Sequence, residues 1–443
     1  MTSNNENGRA HLGAIPGFAN YNEQEHYVFA NWLSEVAEVF KIHGFTPFIS
    51  RPFEFSKHLL QKGGDDKQIY GVSRLQDQTL TDMGIPFDHT VPLAIFVAQR
   101  MQSLIFPYKR YDMSHSFRGE SPQAGRFRGF IQADVDIIDR NLNVLSDFQC
   151  ISAVIDALKI LKIGDIKVFL NHIAIAKGMI ESAGIPKNCE SDVLRWIDKM
   201  DKLPHEEIIQ GVHKIVPQIE FSQIEALIHR FDFSSSPEKF DLDFIHDSKV
   251  DLAFSELKTL HQLLIASGIN PDYLLFSPGK VRGLNYYTGI VFETLLVGKE
   301  KYGSIASGGR YSNLIEGFAE NKMTIEGVGG SIGLTRLFDI LTRTGNIECK
   351  RKTTANFLIL CRTDDLQTIA IDLATQLRDE GQYVDIYSKP GTKIAKQLEY
   401  ADKKGIPAVI MIMDRNVFVV KNLDSGEQTE HSSITDILAR IKK

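Results

Sequence analysis

Apolar residues recur at helical spacing through EQEHYVFANWLSEVAEVFKIHGF (23–45), which predicts one long helix stopping at Gly44. TPFISRPFE (46–54) follows as an extended run, with Pro52 placing it at an edge or interface and not in the middle of a sheet. Helical and strand-like segments then alternate to about Leu170. From Asn171 to Asn270 the pattern becomes a series of short amphipathic helices, such as AIAKGMIESAGI (174–185), HEEIIQGVHKIV (205–216) and SQIEALIHRF (222–231). This stretch carries no chemical cluster, and it reads as a helical insertion at about 172–265 within a larger domain spanning 1–345. The tail, 352–443, alternates strand (ANFLILC, QYVDIYS, IPAVIMIM) with helix (DLQTIAIDLATQLRDEG, TKIAKQLEYADKKG). Such alternation predicts a small α/β domain with a largely parallel sheet.

The most informative stretch is FPYKRYDMSHSFRGESPQAGRFRGFIQADVDIID (106–139), two strands joined by a Gly/Pro/Ser loop as an antiparallel pair. Side chains of a strand alternate between its faces. In the second strand the odd positions, Phe127 to Ile137, form an apolar face. The even positions gather Arg126, Arg128, Phe130, Gln132, Asp134 and Asp136. That even face is either a solvated sheet surface or a site. Arg118, ending the first strand, adds a third guanidinium beside the loop and favours the site. Arginine forks suit phosphate oxygens, while carboxylates and an amide suit an ammonium or an imidazole.

Two further segments are unusual. VRGLNYYTGIVFE (281–293) sets Arg282 before a glycine and places Tyr286 beside Tyr287. EGVGGSIGLTRLFDI (326–340) places Gly327, Gly329, Gly330 and Gly333 ahead of a helix carrying Arg336, so the backbone approaches either a ligand or a neighbouring strand closely. The glycine spacing is not that of a dinucleotide fold, and no P-loop, zinc-protease helix or serine-hydrolase elbow occurs. His89, His115 and His172 read as ordinary polar or packing residues.

Composition narrows the class. With 443 residues, 43% hydrophobic and 24% charged, the chain has the makeup of a globular protein of two or three domains. Its net charge of −6 means that any nucleic-acid contact must use local basic patches. The four cysteines form no C-x-x-C pair, which predicts neither a metal site nor a disulfide framework. The N-terminus has no apolar signal-peptide core, and no apolar run is long enough to span a membrane, so a cytoplasmic protein is expected.

The ordered set RPFE, FDHTVP, SFRGESPQAGRFRGFIQADVD, VRGLNYYTG, SGGRYSNL and GVGGSIGLTRL resembles the histidyl-tRNA synthetases, a family of class II aminoacyl-tRNA synthetases. The resemblance implies an α+β catalytic domain on an antiparallel sheet, a C-terminal α/β anticodon-binding domain, and a homodimer formed through the Pro52 region. It also implies activation of L-histidine by ATP with Mg²⁺, followed by transfer to tRNA(His). Arg118, Glu120, Arg126 and Arg336 would bind ATP, and Arg282, with Arg118, would carry catalysis at the α-phosphate. Asp88, Thr90 and Gln132 would hold the α-amino group of histidine, with Asp136, Arg282, Tyr286, Tyr287 and Tyr311 around the rest of it. Gln123 would reach the tRNA acceptor end, and no protein-held metal is implied. The chain departs from the family pattern at Asn285 and Ser312, where aspartates are usual, and at Ser121, where arginine is common. The rival reading is a synthetase-like, non-catalytic regulatory subunit of histidine biosynthesis. Such proteins erode the motif arginines and lack the tail, whereas Arg282, Arg336 and a tail with Lys393, Lys396, Lys403 and Lys404 are present here.

Overall fold

The computed structural model describes residues 13–61, 68–76, 82–121, 125–281, 283, 286–312, 318, 325–389 and 391–441. The chain forms two compact units, one from 1–19 and 33–346, the other from 20–32 and 347–443. The long first helix, α1 (Glu23–Ile42), begins in the second unit and ends in the first.

The first unit is built on eight strands: β1 (Thr46–Pro47), β2 (Tyr108–Asp112), β3 (Ala133–Asp139), β4 (Ile166–His172), β5 (Leu274–Phe276), β6 (Ile290–Leu296), β7 (Ala306–Tyr311) and β8 (Glu326–Ile332). Their order is β1-β2-β3-β8-β7-β6-β4-β5. The five inner pairings are antiparallel, and the two outermost, β1 with β2 and β4 with β5, are parallel. As Pro52 suggested, the extended run lies at a sheet edge, where Thr46 and Pro47 pair with β2 and the Phe48 N–H donates to the Tyr111 carbonyl at 2.8 Å.

Alternation explains how the sheet separates core from site. Gly330 lies opposite Val135 in register, and a Cβ on it would meet Val154 of helix α2 (Val144–Ile160). Val135, Ile137 and Val154 therefore pack on one face, where all three are buried. One residue along, Gly329 opposes Asp136 on the other face, and a Cβ there would overlap the Asp136 carboxylate. This glycine is needed because a side chain from the neighbouring strand occupies its place.

The long hairpin of the sequence is split in two. β2 and β3 belong to the main sheet, while His115–Phe117 and Gly129–Ile131 peel off as a separate two-stranded ribbon. Between β4 and β5 lie the expected helices, including Ile173–Ser182, Glu190–Ile197, His205–Ile215 and Phe221–Phe231. The sequence reading passed over one more, Ser248–Ala266, which packs against β4 and Val144–Ile160.

In the second unit β9 (Phe357–Cys361), β10 (Val384–Ile386) and β11 (Ala408–Asp414) are parallel. Leu358 and Leu360 of β9 face one apolar cluster with Ala401, while Ile359 and Cys361 face another with Leu373 and Leu377. Burial on both faces is why these strands read as unbroken apolar runs. The sheet is less parallel than expected, because β12 (Val417–Asn422) and β13 (Gln428–His431) add antiparallel strands. The turn at 415–416 leaves no room for the crossover that a parallel strand needs. Within this unit the start of α1 is tied down by Lys404 to Glu23 and by Arg351 over the Tyr27 ring at 5.3 Å. No helix among the described residues is long and apolar enough to cross a membrane.

Candidate active site

Two cavities open on the face of the sheet opposite the Val144–Ile160 helix, and they share Ser307 and Ser331. The larger, about 340 Å³, is lined by Arg118, Glu120, Arg126, Phe130, Gln132 and Arg336, among others. The smaller, about 50 Å³, is lined by Thr90, Asp134, Asp136, Tyr286, Tyr287 and Tyr311 with the β8 glycines. Of the even positions in 126–136, Arg126, Phe130, Gln132, Asp134 and Asp136 line one cavity or the other, whereas Arg128 lines neither and donates through Nε to the Glu120 carbonyl at 3.1 Å.

In the larger cavity the cations are lightly held. Arg118 donates through Nε to the Phe87 carbonyl at 3.1 Å and lies over the Phe130 ring at 5.0 Å. The Arg126 side chain is 51% exposed, with Glu120 3.8 Å away. Arg336, in the first turn of the helix Leu334–Arg343, donates to the Tyr302 carbonyl. Among the described lining residues Glu120 is the one carboxylate. A cavity with three guanidinium groups and one acid suits a polyphosphate that brings its own counter-cation.

The smaller cavity is charge-dense, and the charged side chains around it are buried. Arg110 on β2 opposes Asp136 on β3, and Asp112 opposes Asp134. Fully buried Arg110 forms an ion pair with Asp136, its Nη2 2.7 Å from Oδ2, with Asp112 3.7 Å away. The Tyr311 hydroxyl donates to Asp136 Oδ1 at 2.8 Å. Burial pushes the Asp136 carboxyl up, against the pull of Arg110. Asp88 accepts the Thr90 and Val91 backbone N–H groups at 3.1 and 3.4 Å, fixing the start of helix Thr90–Arg100. Burial raises its carboxyl as well, opposed by Arg118. Gln132 donates to the Ser331 hydroxyl at 3.0 Å, at the junction of the cavities. The Tyr286 ring centre lies 5.0 Å from that of Tyr287, edge to face, and 5.0 Å from that of Tyr311, tilted, so the three form an aromatic wall.

The segment 281–293 is held close to this wall. Gly283 has φ +69°, and a Cβ on it would strike the Tyr287 ring. Thr288 donates its backbone N–H to the Arg310 carbonyl at 2.8 Å, and its hydroxyl meets that of Ser312 at 2.7 Å. Ser312, a departure from the family pattern, thereby stitches the end of β7 to the Thr288–Gly289 turn. Arg282, Asn285 and Gln123 lie outside the described residues.

The sequence reading missed Arg110, although a signal was available. Applying the same alternation to the first strand puts Arg110 and Asp112 on the face that carries Asp134 and Asp136. Closing the hairpin then sets each arginine and acid across from a partner.

An antiparallel sheet with a phosphate-suited cavity beside a charge-dense, aromatic-walled pocket, joined to a small α/β unit, defines a class II aminoacyl-tRNA ligase. The family described as Histidyl-tRNA synthetase matches residues 17–337, and an Anticodon binding domain matches 354–443. The chain belongs to the histidyl-tRNA synthetase family. The histidine–tRNA ligase of Clostridium acetobutylicum is 32% identical over 431 residues, covering 95% of this chain and 98% of its own. That of Wolinella succinogenes is 33% identical over 436 residues, covering 95% and 96%. The crystal structure of a histidyl-tRNA synthetase from a Nostoc species superposes with a TM-score of 0.88 at 29% identity, covering 98% of this chain and 99% of that one. A Bacillus halodurans protein titled as an ATP phosphoribosyltransferase regulatory subunit/histidyl-tRNA synthetase shares the fold, with a TM-score of 0.71 at 19% identity, covering 88% and 97%.

Proposed function

We propose that this chain is a histidine–tRNA ligase. It activates L-histidine with ATP and then esterifies tRNA(His). In the first step a carboxylate oxygen of histidine attacks the α-phosphorus, forming the acyl–phosphate bond as the bond to pyrophosphate breaks. In the second, the terminal ribose hydroxyl of the tRNA attacks the acyl carbon, and AMP leaves with the bridging oxygen. The observation that carries this reading is the shared wall. A phosphate-suited cavity and a smaller pocket walled by carboxylates and tyrosines meet at Ser307, Ser331 and Gln132, where a carboxylate and an α-phosphate would have to meet.

In this reading Arg118 and Arg282 hold the α-phosphate, Arg126 the γ-phosphate, and Arg336 flanks the nucleotide. Mg²⁺ arrives with ATP as part of the substrate and adds phosphate neutralisation, with Glu120 the acid beside it. Asp88, Thr90 and Gln132 take the α-ammonium. Asp136 accepts from the imidazole, beside Tyr286, Tyr287 and Tyr311, and Gln123 reaches the acceptor end. The catalytic domain runs over 1–345, with its insertion at about 172–265, and 352–443 reads the anticodon. Homodimerisation in the cytoplasm is part of the proposal, supported by the exposed apolar side chains of Ile49, Phe53 and Phe55 near Pro52. The regulatory-subunit reading has no use for a complete set of phosphate-suited arginines.

ATP–pyrophosphate exchange with each standard amino acid tests the assignment, and exchange with histidine alone is expected. Arg282→Ala should slow that exchange by about 10²–10³-fold. Exchange dependent on another amino acid would overturn the substrate, and an unchanged rate in the variant would overturn the role of Arg282.

A further inference from the structure

One buried histidine has no place among these contacts. His89 stands between Asp88 and Thr90, is 1% exposed, and has a polar neighbour at each ring nitrogen. Nδ1 lies 2.9 Å from Asp134 Oδ2, and Nε2 lies 3.2 Å from the Ser116 hydroxyl. We propose that His89, as an imidazolium paired with Asp134, is a positioning residue that locks the α-ammonium subsite onto β3, which carries Asp136 and directly follows Gln132. This rests on the reading of the smaller cavity as the amino-acid site.

Counting charges leads to the same pair. Asp112, Asp134 and Asp136 are all buried within one register of β2 and β3, and Arg110 is the one arginine among them. Arg110 reaches Asp136 and Asp112. Asp134 sits two residues from Asp136 on the same face, and an uncompensated carboxylate there would be costly. A protonated His89 supplies its counter-charge, as Arg110 does for Asp136 and Asp112.

The groups facing His89 come from every neighbouring element. They are Asp134 and Asp136 on β3, Arg110 and Asp112 on β2, His115 and Ser116 on the ribbon, and Asp88 in its own turn. Burial disfavours the charge, yet Asp134 and Asp112 hold the imidazole above its ordinary value. Against its own burial, Asp134 is held below the usual carboxylate range by His89 and Arg110. Both shifts favour the ionised pair. The link to the substrate is mechanical. The His89 carbonyl accepts from Arg110 at 3.4 Å, so ring and backbone together pin the turn whose flanking residues are Asp88 and Thr90.

The test is histidine-dependent ATP–pyrophosphate exchange from about pH 6 to 8.5, with wild type, His89→Gln, Asp134→Asn and the double variant. His89→Gln should raise KM for histidine about tenfold near pH 6.5, with KM for ATP unchanged. The gap should narrow as pH rises, because the wild type then loses the same charge. Asp134→Asn in the His89→Gln background should recover most of the loss, since it removes the stranded carboxylate. A variant-to-wild-type ratio independent of pH, or a double variant worse than both singles, would reduce His89 to packing. Should His89→Gln not fold, the wild-type profile decides. A KM for histidine that rises above the imidazole pKa, corrected for the substrate's own titration and with KM for ATP flat, supports the pair, and a flat profile refutes it. No exchange with histidine in the wild type would instead refute the site assignment.

Discussion

The two cavities touch at Ser307 and Ser331 yet handle charge in opposite ways. In the larger one Arg126 is half exposed, its nearest acid is 3.8 Å off, and Arg118 spends one N–H on a backbone carbonyl. In the smaller one Arg110 and Asp136, His89 and Asp134, and Tyr311 and Asp136 all lie within 3 Å of each other. Cations near water lose little solvation and can wait for a ligand that brings the anions. Buried carboxylates cannot wait, because each must be matched within the protein before the substrate arrives. One cavity is therefore completed by its ligand, and the other is completed by the fold.

Two arginines, Arg110 on β2 and Arg118 just past the ribbon strand His115–Phe117, put this contrast at risk most directly. Arg110→Met keeps an unbranched stem but removes the guanidinium and strands Asp112 and Asp136, so the first unit should lose about 3–5 kcal/mol of stability. Denaturant unfolding read on that unit measures this, and an unchanged midpoint would mean that the three acids are not ionised together. Arg118→Ala should do the reverse, cutting ATP–pyrophosphate exchange by about 10²–10³-fold with the unfolding midpoint unmoved. If Arg118→Ala destabilised the protein as much as Arg110→Met, the larger cavity would be as structural as the smaller.

How far the sequence revealed each cavity follows from the same physics. The arginine-lined wall was legible, because strand alternation is strictly periodic and Arg126, Phe130 and Gln132 fall on one parity. The parallel core of the second unit was legible too, since strands buried on both faces leave unbroken apolar runs such as PAVIMIM. Its antiparallel addition was not, because 417–431 mixes polar and apolar residues without a strong period. The buried partners were the least legible. Arg110 and His89 matter through residues 26 and 45 positions away, Asp136 and Asp134, and register between strands is set by the whole sheet. His89 read as packing because a lone histidine in sequence gives no sign of the carboxylate it meets. Asp136 was read for its own role, without the two donors that occupy its oxygens.

The finest probe of the contrast removes a single proton donor. The Tyr311 hydroxyl is buried and donates to Asp136 Oδ1, a bond that favours the ionised carboxylate. Tyr311→Phe keeps the ring against Tyr286 but leaves that oxygen without its donor, at a cost of about 1–2 kcal/mol. Removing a donor from the charged form raises a carboxyl pKa further, and burial already raises this one. A larger share of Asp136 is then protonated as pH falls, and a protonated carboxyl accepts less well from an imidazole N–H. KM for histidine should therefore rise about five- to tenfold, more at pH 6 than at pH 8, while KM for ATP stays level. A pH-independent rise would mean that Asp136 stays ionised without Tyr311. An equal rise in KM for ATP would mean that the two cavities are not separately built.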